Sequence, residues 1–430
     1  MPKAFVIWRW VALLGLAGWS IAQGAGCAAL APGIGAPQPA DGGLAPMTAF
    51  GLRAGVRAED GELIIGLKPG YDMDALPPLG QARPVVLGAL DFDTPLRMLR
   101  LPKGFPLEEA IRVYRAHPAV ALISPNRSID ALPRPRALAF DPFGGLTPND
   151  PYFYNEWGFG DGVTNARALW RRAVDASKVM VAVIDTGIDY NHPDLQGRVT
   201  IGYNFKDGNK DVMDRDGHGT HVAGLIGAAG NNGIGVAGVA WDVQLLAIKV
   251  MDHAGGTDFG AAAGIKYAVD AGAKVLNLSF SSDSTKRNPI FDLAVKYAQE
   301  RGATVVAAAG NQGGPVSSPG NSPGVLAISA TSKRGTERLA SFSNFGKEVF
   351  LAAPGEGIFS TYLSGGYKSL SGTSMAAPIV AGAAAILYAQ HPGWGPAEIQ
   401  AALAQAVDPL GTRGKTEQFG YGRIDLSKLP

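Results

Sequence analysis

Apolar and polar residues follow two different patterns along the chain. Between residues 62 and 123, short apolar segments flank one amphipathic segment, whereas from residue 179 onward the apolar runs are continuous. Continuous runs are typical of parallel strands that are buried on both faces of a sheet. The pattern therefore predicts a small α+β unit followed by a larger α/β domain.

The first pattern predicts a compact unit over residues 51–130. Strands are predicted at residues 62–67, 96–101 and 120–123. Residues 107–114 have helical spacing and acidic residues in the first turn, which favours a helix. These elements are sufficient for a small α+β sandwich.

The second pattern predicts a doubly wound, mostly parallel sheet within residues 148–430. Its strands are expected at residues 179–184, 245–250, 274–278 and 304–309, with helical stretches between them. Strands that alternate with helices are typical of parallel sheets with helices on both faces.

Three further segments lack this periodicity. Residues 1–26 carry Lys3 and Arg9 before an apolar run and small residues, which predicts an export signal; an uncleaved signal anchor is the alternative. Residues 27–50 are rich in Ala, Gly and Pro and are expected to form a linker. Residues 131–147 contain several prolines and a Gly-Gly pair, which predicts an exposed, cleavable connector.

Cys27 is the single cysteine, so the fold uses no disulfide within the chain. It directly follows Gly24-Ala25-Gly26, and this position resembles the site at which bacterial lipoproteins are cleaved and acylated. Gly24 departs from that pattern, which has Leu or a similar residue there. Two interpretations stay open: a lipid anchor at Cys27, or a lone cysteine near an ordinary cleavage site.

Composition excludes some partners. The 38 basic and 37 acidic residues give a net charge of +1, which gives no reason to expect nucleic acid or an acidic membrane surface as a partner. We expect an extracytoplasmic protein, secreted or tethered to the bacterial cell envelope, and a monomer.

Three polar residues lie where predicted elements begin or end. Asp185 closes a buried strand, His218 is flanked by glycines before a stretch of small apolar residues, and Ser374 opens a long apolar helix. Sites in open α/β sheets form beyond the carboxyl ends of the strands. A hydroxyl at a helix N-terminus lies beside free backbone N–H groups, which favour developing negative charge.

The motifs around these residues resemble those of the subtilisin-like serine peptidases, the subtilase family. Asp-Thr-Gly at 185–187, His-Gly-Thr-His-Val-Ala-Gly at 218–224 and Gly-Thr-Ser-Met-Ala-Ala-Pro at 372–378 occur in the family's order. The resemblance extends over residues 149–425. A weaker likeness to the family's inhibitory propeptide covers residues 51–129 and implies a ferredoxin-like fold for that unit.

The resemblance implies a mechanism. Ser374 would attack the scissile carbonyl, His218 would act as general base and then general acid, and Asp185 would orient the imidazole. Asn311 matches the family's oxyanion residue. The chain would then be a secreted serine endopeptidase that works through an acyl-enzyme and is made as a self-processing zymogen, with its own propeptide as intramolecular inhibitor. A specialised processing or transpeptidating enzyme with one dedicated partner is the alternative.

Peptide or protein substrates would lie along a strand edge. The resemblance assigns one side of the groove to a strand in which Ser281 replaces the family's usual glycine, and the other to a glycine-rich turn where Phe259 would wall an apolar pocket. The implied substrate-binding residues are Ser279, Phe280, Ser281, Gly256, Phe259, Ala308 and Gly310. No acidic residue is expected at the base of the pocket beside the scissile bond.

A loop at residues 230–236 resembles the family's calcium loop. Carboxylate, amide and carbonyl oxygens are the ligands that Ca²⁺ prefers. The implied structural calcium ligands are Asp194, Asn232, Gly230, Ile234 and Val236.

His221 follows His218 at a spacing found in zinc sites, but no third ligand occurs at a suitable interval, so we interpret His221 as a structural helix residue.

Overall fold

The structure is a computed structural model that describes residues 61–131, 147–282, 284–333, 335–411 and 414–430. The predicted signal segment, the linker with Cys27, the first residues of the N-terminal unit and nearly all of the connector lie outside the described residues. The described residues belong to one compact unit with two lobes.

The N-terminal lobe, residues 61–127, is an antiparallel sheet covered by one helix. Its elements are β1 Glu62–Leu67, β2 Val85–Leu90, β3 Leu96–Arg100, α1 Leu107–Arg115 and β4 Val120–Pro125. The strand order β2-β3-β1-β4 is the order of the ferredoxin-like arrangement. A single 3-10 turn, Met73–Ala75, lies between β1 and β2 in place of a first helix.

The two faces of β1 have different partners. Leu63 and Ile65 pack with Ile111 and Tyr114 of α1, whereas Ile64 joins a hydrophobic cluster that continues into the second lobe. Successive side chains of a strand point to opposite faces, so both faces of this sheet are buried. This explains the continuous apolar run in β1.

The C-terminal lobe, residues 147–430, is built on a main sheet of nine strands in one path, with a tenth strand paired at its side. Its strands are β6 Met180–Asp185, β7 Val199–Asn204, β8 Gln244–Lys249, β9 Met251–Asp252, β10 Gly255–Thr257, β11 Val275–Leu278, β12 Phe280–Ser281, β13 Thr304–Ala308, β14 Leu326–Ser332, β15 Gly335–Leu339, β16 Val349–Pro354, β17 Ile358–Thr361, β18 Tyr367–Leu370, β19 Val407–Asp408 and β20 Arg423–Ile424. Its helices are α2 Ala166–Trp170, α3 His218–Gly227, α4 Asp258–Asp270, α5 Pro289–Glu300, α6 Thr373–Gln390 and α7 Pro396–Gln405.

The main sheet has the order β19-β20-β16-β14-β13-β11-β6-β8-β7, and β15 pairs with β14. Along this order, every neighbouring pair between β7 and β20 is parallel. This confirms the predicted mostly parallel sheet. Val183 packs on the side of α3 and α6, and its neighbour Ile184 packs on the side of α4 and α5. Helices therefore cover both faces, as the doubly wound class requires.

A fifth strand, β5 Ser128–Ala131, leaves the N-terminal lobe and enters the C-terminal lobe. It pairs antiparallel with β10 on one side and with β12 on the other. The backbone of β5 thus fills the space between the two strands. The space between β10 and β12 that β5 occupies is called the groove below.

Helix α6 is long and apolar enough to span a membrane by length and composition, but it is almost wholly buried within the fold.

Candidate active site

Asp185 and His218 form a buried hydrogen-bonded pair. Asp185 is the last residue of β6, and His218 is the first residue of α3. Nδ1 of His218 lies 2.7 Å from Oδ1 of Asp185, which also accepts a 2.7 Å hydrogen bond from the Thr186 backbone N–H. This contact holds the imidazole with Nε2 directed away from the carboxylate, the orientation that a general base needs.

Small residues allow α3 to approach β6 closely. A Cβ on Gly219 would lie 2.1 Å from the carbonyl oxygen of Gly187 and 3.1 Å from the Asp185 side chain. Gly217, which precedes the helix, has a φ of 100°, and a Cβ there would meet the ring of Tyr362 at 2.4 Å. Glycine is therefore required on both sides of His218.

Asp214 organises the backbone around His218, although no sequence motif points to it. Its carboxylate is buried and accepts hydrogen bonds from the N–H groups of Gly217 and Thr220 at 2.9 Å. It also accepts a bond from the Thr186 hydroxyl at 2.9 Å, and that hydroxyl in turn accepts from the N–H of Gly219. Asp214 thereby joins the end of β6 to the start of α3.

The charges around His218 favour its protonated form. Burial has the largest single effect and would lower the pKa of His218, but the carboxylates of Asp185, Asp216 and Asp214 together outweigh it, so the pKa is raised. Burial raises the pKa of Asp185, and its contact with His218 offsets part of that rise. A histidine in this setting can take up a proton during a reaction.

Ser374 lies in the first turn of α6, which packs against α3. Its hydroxyl donates a 2.8 Å hydrogen bond to the carbonyl oxygen of Ser279. The Ser279 hydroxyl donates in return to the Ser374 carbonyl at 2.9 Å. This exchange fixes the serine beside the end of β11 and the start of β12. Among the described residues, His218 Nε2 is buried and has no hydrogen-bond partner.

Asn311 is oriented by Thr373, a residue whose role the sequence did not suggest. The amide oxygen of Asn311 accepts bonds from the Thr373 backbone N–H at 2.9 Å and from its hydroxyl at 2.8 Å. The amide nitrogen therefore faces Gly372. A Cβ on Gly372 would lie 3.0 Å from Asn311 Nδ2 and 3.6 Å from the Ser374 nitrogen, so both potential donors border the same small space.

The predicted groove residues lie on both sides of β5. Phe280 and Ser281 pair with Ala131 and Asp130, and Gly256 pairs with Ile129. Antiparallel pairing on two sides is the geometry by which a strand edge binds an extended peptide.

Three other predicted residues stand behind the groove. The side chain of Phe259 is fully buried in the core between the sheet and α4, so it packs inside the lobe and does not wall a surface pocket. Ala308 ends β13 and is fully buried. Gly310 has a φ of 113°, and its N–H donates to the Thr373 hydroxyl at 3.1 Å. Gly310 thus supports the turn that carries Asn311.

The predicted calcium residues come together around Asp194. Its carboxylate accepts hydrogen bonds from the Asn232 amide at 3.0 Å, the Val236 N–H at 2.9 Å and the Tyr367 hydroxyl at 3.0 Å. Gly230 and Ile234 lie in the same loop. Asp150 binds the loop backbone from outside, at 2.6 Å from the N–H of Asn231. No group of three acidic, His or Cys side chains suited to a metal occurs among the described residues.

His221 is buried in α3, and its ring serves the fold. Its Nε2 lies 3.1 Å from the Ile358 carbonyl oxygen and 2.9 Å from that of Lys368. Both partners are acceptors, so Nε2 carries the hydrogen and His221 links α3 to the β17–β18 hairpin. Burial lowers the pKa of His221 to about 3.

Comparison with known proteins identifies the class. The sequence profile described as the Subtilase family matches residues 176–422. The chain therefore belongs to the subtilase family, and the predicted family is confirmed.

Several characterised relatives are similar over most of their length. "Thermophilic serine proteinase" from Bacillus sp. (strain AK1) is 40% identical over 321 residues, which cover 74% of this chain and 75% of that protein. "Thermitase" from Thermoactinomyces vulgaris is 40% identical over 284 residues, 66% of this chain and 98% of that protein. "Subtilisin Savinase" from Lederbergia lenta is 41% identical over 271 residues, 63% of this chain and 96% of that protein.

A solved structure agrees with the sequence comparisons. A protease from Pseudoalteromonas arctica PAMC 21717 superposes with a TM-score of 0.60 at 31% identity, covering 66% of this chain and 98% of that one. Family, relatives and structural neighbour together make this chain a subtilisin-like serine endopeptidase.

Proposed function

We propose that Asp185, His218 and Ser374 form the catalytic triad of a secreted endopeptidase that works through an acyl-enzyme. The 2.7 Å contact between Asp185 and His218 carries the proposal, because it leaves His218 Nε2 free to serve as a base near α6. Rotation of the Ser374 hydroxyl away from the Ser279 carbonyl would bring its proton to Nε2. The oxygen would then attack the scissile carbonyl, and His218 would return the proton to the leaving amine.

The developing oxyanion would be stabilised in the space beside Gly372. The Ser374 N–H and the Asn311 amide nitrogen border this space, and Thr373 holds the Asn311 side chain in place. Donors that are positioned before the reaction need no reorganisation as charge develops.

We also propose that the N-terminal lobe is an inhibitory propeptide. In support, β5 occupies the strand positions between β10 and β12 that an extended substrate would take. The enzyme would work on other proteins only after a cut in the connector and departure of β5.

The test compares the full-length chain with its Ser374→Ala variant in self-processing and in cleavage of unfolded casein. The parent is expected to mature and degrade casein, whereas the variant should do neither. Maturation without casein cleavage would instead favour the specialised processing or transpeptidating enzyme. If the parent is as inert as the variant, the proposed peptidase mechanism is wrong.

Calcium is proposed as a structural ligand of the loop at residues 230–236. Asp194 and the Asn232 side chain are in contact, and the loop backbone folds around them, which fits an oxygen-ligand site. Asp194, Asn232 and the carbonyls of Gly230, Ile234 and Val236 would hold the ion. The hydrogen bonds now made to Asp194 would have to rearrange.

A metal that binds only the folded form stabilises it by mass action. We therefore expect a chelator to lower the melting temperature of the mature enzyme, added Ca²⁺ to restore it, and Asp194→Asn to abolish the response. An unchanged melting temperature after chelation would contradict calcium binding at this site.

Export is proposed from the N-terminal sequence, with Cys27 either lipidated or free. Cell fractionation with a fatty-acid label separates the two forms. A labelled, membrane-bound precursor that Cys27→Ser releases would establish the lipid anchor; an unlabelled protein in the medium would exclude it. Retention of the whole precursor in the cytoplasm would contradict export.

A further inference from the structure

Asp258 is a buried carboxylate at the far end of the groove. It is the first residue of α4 and directly follows β10. Its side chain is 0% exposed, and Oδ1 has no hydrogen-bond partner among the described residues. Oδ2 accepts a 2.6 Å bond from the Asn288 amide, which itself caps α5 through its other atom. The carboxylate therefore retains capacity for another donor.

The chain in the groove brings a cation to this carboxylate. Thr257 pairs with Ser128, and the N–H of Asp258 donates to the Arg127 carbonyl at 2.8 Å, which continues the same antiparallel ladder by one step. The Arg127 guanidinium Nε lies 3.8 Å from Asp258 Oδ2. Burial raises the pKa of Asp258 to about 7, and Arg127 opposes that rise, so a basic partner favours the ionised carboxylate.

The register locates this contact relative to the reaction. In a substrate that pairs with β10 and β12 in the register of β5, the residue after the one in the place of Ala131 would lie opposite Ser279, whose carbonyl contacts the Ser374 hydroxyl. That substrate residue would supply the reacting carbonyl. The substrate residue in the place of Arg127 would then be the sixth on the amino side of the cleaved bond.

We propose that Asp258 determines specificity by selecting a basic side chain at this sixth position of the substrate. The inference rests on the proposed function, because it takes β5 as the guide to how substrates bind. Departure of β5 would leave the Asp258 carboxylate facing the groove without its cation. A substrate Arg or Lys would replace Arg127, whatever residue lies beside the scissile bond.

The test uses enzyme that has matured from the full-length chain, assayed well above neutral pH so that Asp258 is ionised. Two peptides differ only at the sixth position, Arg against citrulline, which has the same shape without the charge. A second pair carries the same exchange three residues further from the bond. We expect kcat/KM to favour Arg about fivefold at the sixth position, and to be equal for the distant pair.

Asp258→Asn retains the size of the side chain and should bring the Arg-to-citrulline ratio close to one. Equal cleavage of both peptides by the parent, or an unchanged ratio in the variant, would overturn the subsite and leave the proposed peptidase intact. Absence of cleavage of every peptide would overturn the proposed function and the subsite with it.

A second measurement leaves Asp258 unaltered. Arg127→Gln in the full-length chain removes the cation from the N-terminal lobe, so β5 should be released sooner and the lag before casein cleavage should shorten. Arg112→Gln is the matched control, since Arg112 is 76% exposed on α1. A lag equal to that of the parent in Arg127→Gln would also overturn the proposed contact.

Discussion

At the scale of single residues, His218 lies among several negative charges. Asp185 has the largest effect in raising its pKa, and Asp216 contributes from the turn before α3, where its carboxylate accepts a 3.3 Å bond from the His218 N–H. The base must be neutral to take the Ser374 proton. Activity should therefore fall as the pH drops through a His218 pKa that lies above the ordinary 6.5.

Asp216→Asn tests this electrostatic contribution. Asparagine retains an acceptor for the His218 N–H but removes a charge, so the pKa of His218 should fall and the acid limb of the kcat/KM profile should move to lower pH. Asp270→Asn, at the end of α4, is the control and should leave the limb in place. A limb that does not move in Asp216→Asn would show that this carboxylate does not act on the base.

The sequence predicts the residues of the proposed site but not the residues that support them. Asp185, His218, Asn311 and Ser374 are predicted from motifs that together resemble those of the subtilase family, because each of these residues alone has an ordinary structural explanation. Asp214, Thr373 and Asp258 act through contacts between distant segments, and each is an ordinary polar residue in its own neighbourhood. Phe259 is predicted to wall a pocket because of its position beside the groove, but its side chain packs into the core.

At the scale of elements, His221 ties α3 to the β17–β18 hairpin. Its folded-state pKa of about 3 lies far below the unfolded value of 6.5, so the unfolded chain binds the proton more strongly between these values. The contribution of His221 to stability is complete above the unfolded pKa and decreases as the pH falls, by up to about 1.4 kcal/mol per pH unit.

His221→Gln removes this titration and retains an amide donor for the Ile358 and Lys368 carbonyls. We expect the variant to be less stable near neutral pH but to lose less stability than the parent between pH 6.5 and about 4. Denaturant unfolding of the Ser374→Ala forms avoids self-digestion. Parallel pH dependences in the two proteins would contradict a buried neutral histidine.

In the main sheet, uninterrupted apolar runs predict β6, β8, β11 and β13, whose two faces are covered. Two edge strands that the sequence does not predict lack that signal: β7 has exposed residues, and β2 contains a glycine and a register shift. The 3-10 turn before β2 was also not foreseen, because its few residues have no helical period.

At the scale of the whole molecule, the two lobes share a hydrophobic cluster. Leu90, Phe92 and Met98 of the N-terminal lobe are buried with Phe291 and Val295 of α5. Burial of apolar surface against the second lobe would hold β5 in the groove for as long as the lobes remain attached. If the N-terminal lobe is the inhibitory propeptide proposed above, its inhibition would depend on an interface distant from the reacting atoms.

Phe92 offers a direct test of that dependence. Its ring meets Tyr297 of α5 edge to face, with the ring centres 5.3 Å apart. Phe92→Ala removes an almost fully buried side chain and should weaken the interface by about 3 kcal/mol. The groove residues and the triad are unchanged, so the full-length chain should show a shorter lag before casein cleavage while the final activity per active site stays the same.

Val85→Ala is the control for this prediction, because Val85 is 41% exposed on β2 and should leave the lag unchanged. The yield of folded precursor, measured with the Ser374→Ala substitution in both variants, distinguishes a weakened interface from failure to fold. An unaltered lag in a folded Phe92→Ala protein would mean that β5 and its groove contacts alone control activation. A shorter lag would place control of the active site in the packing between the lobes.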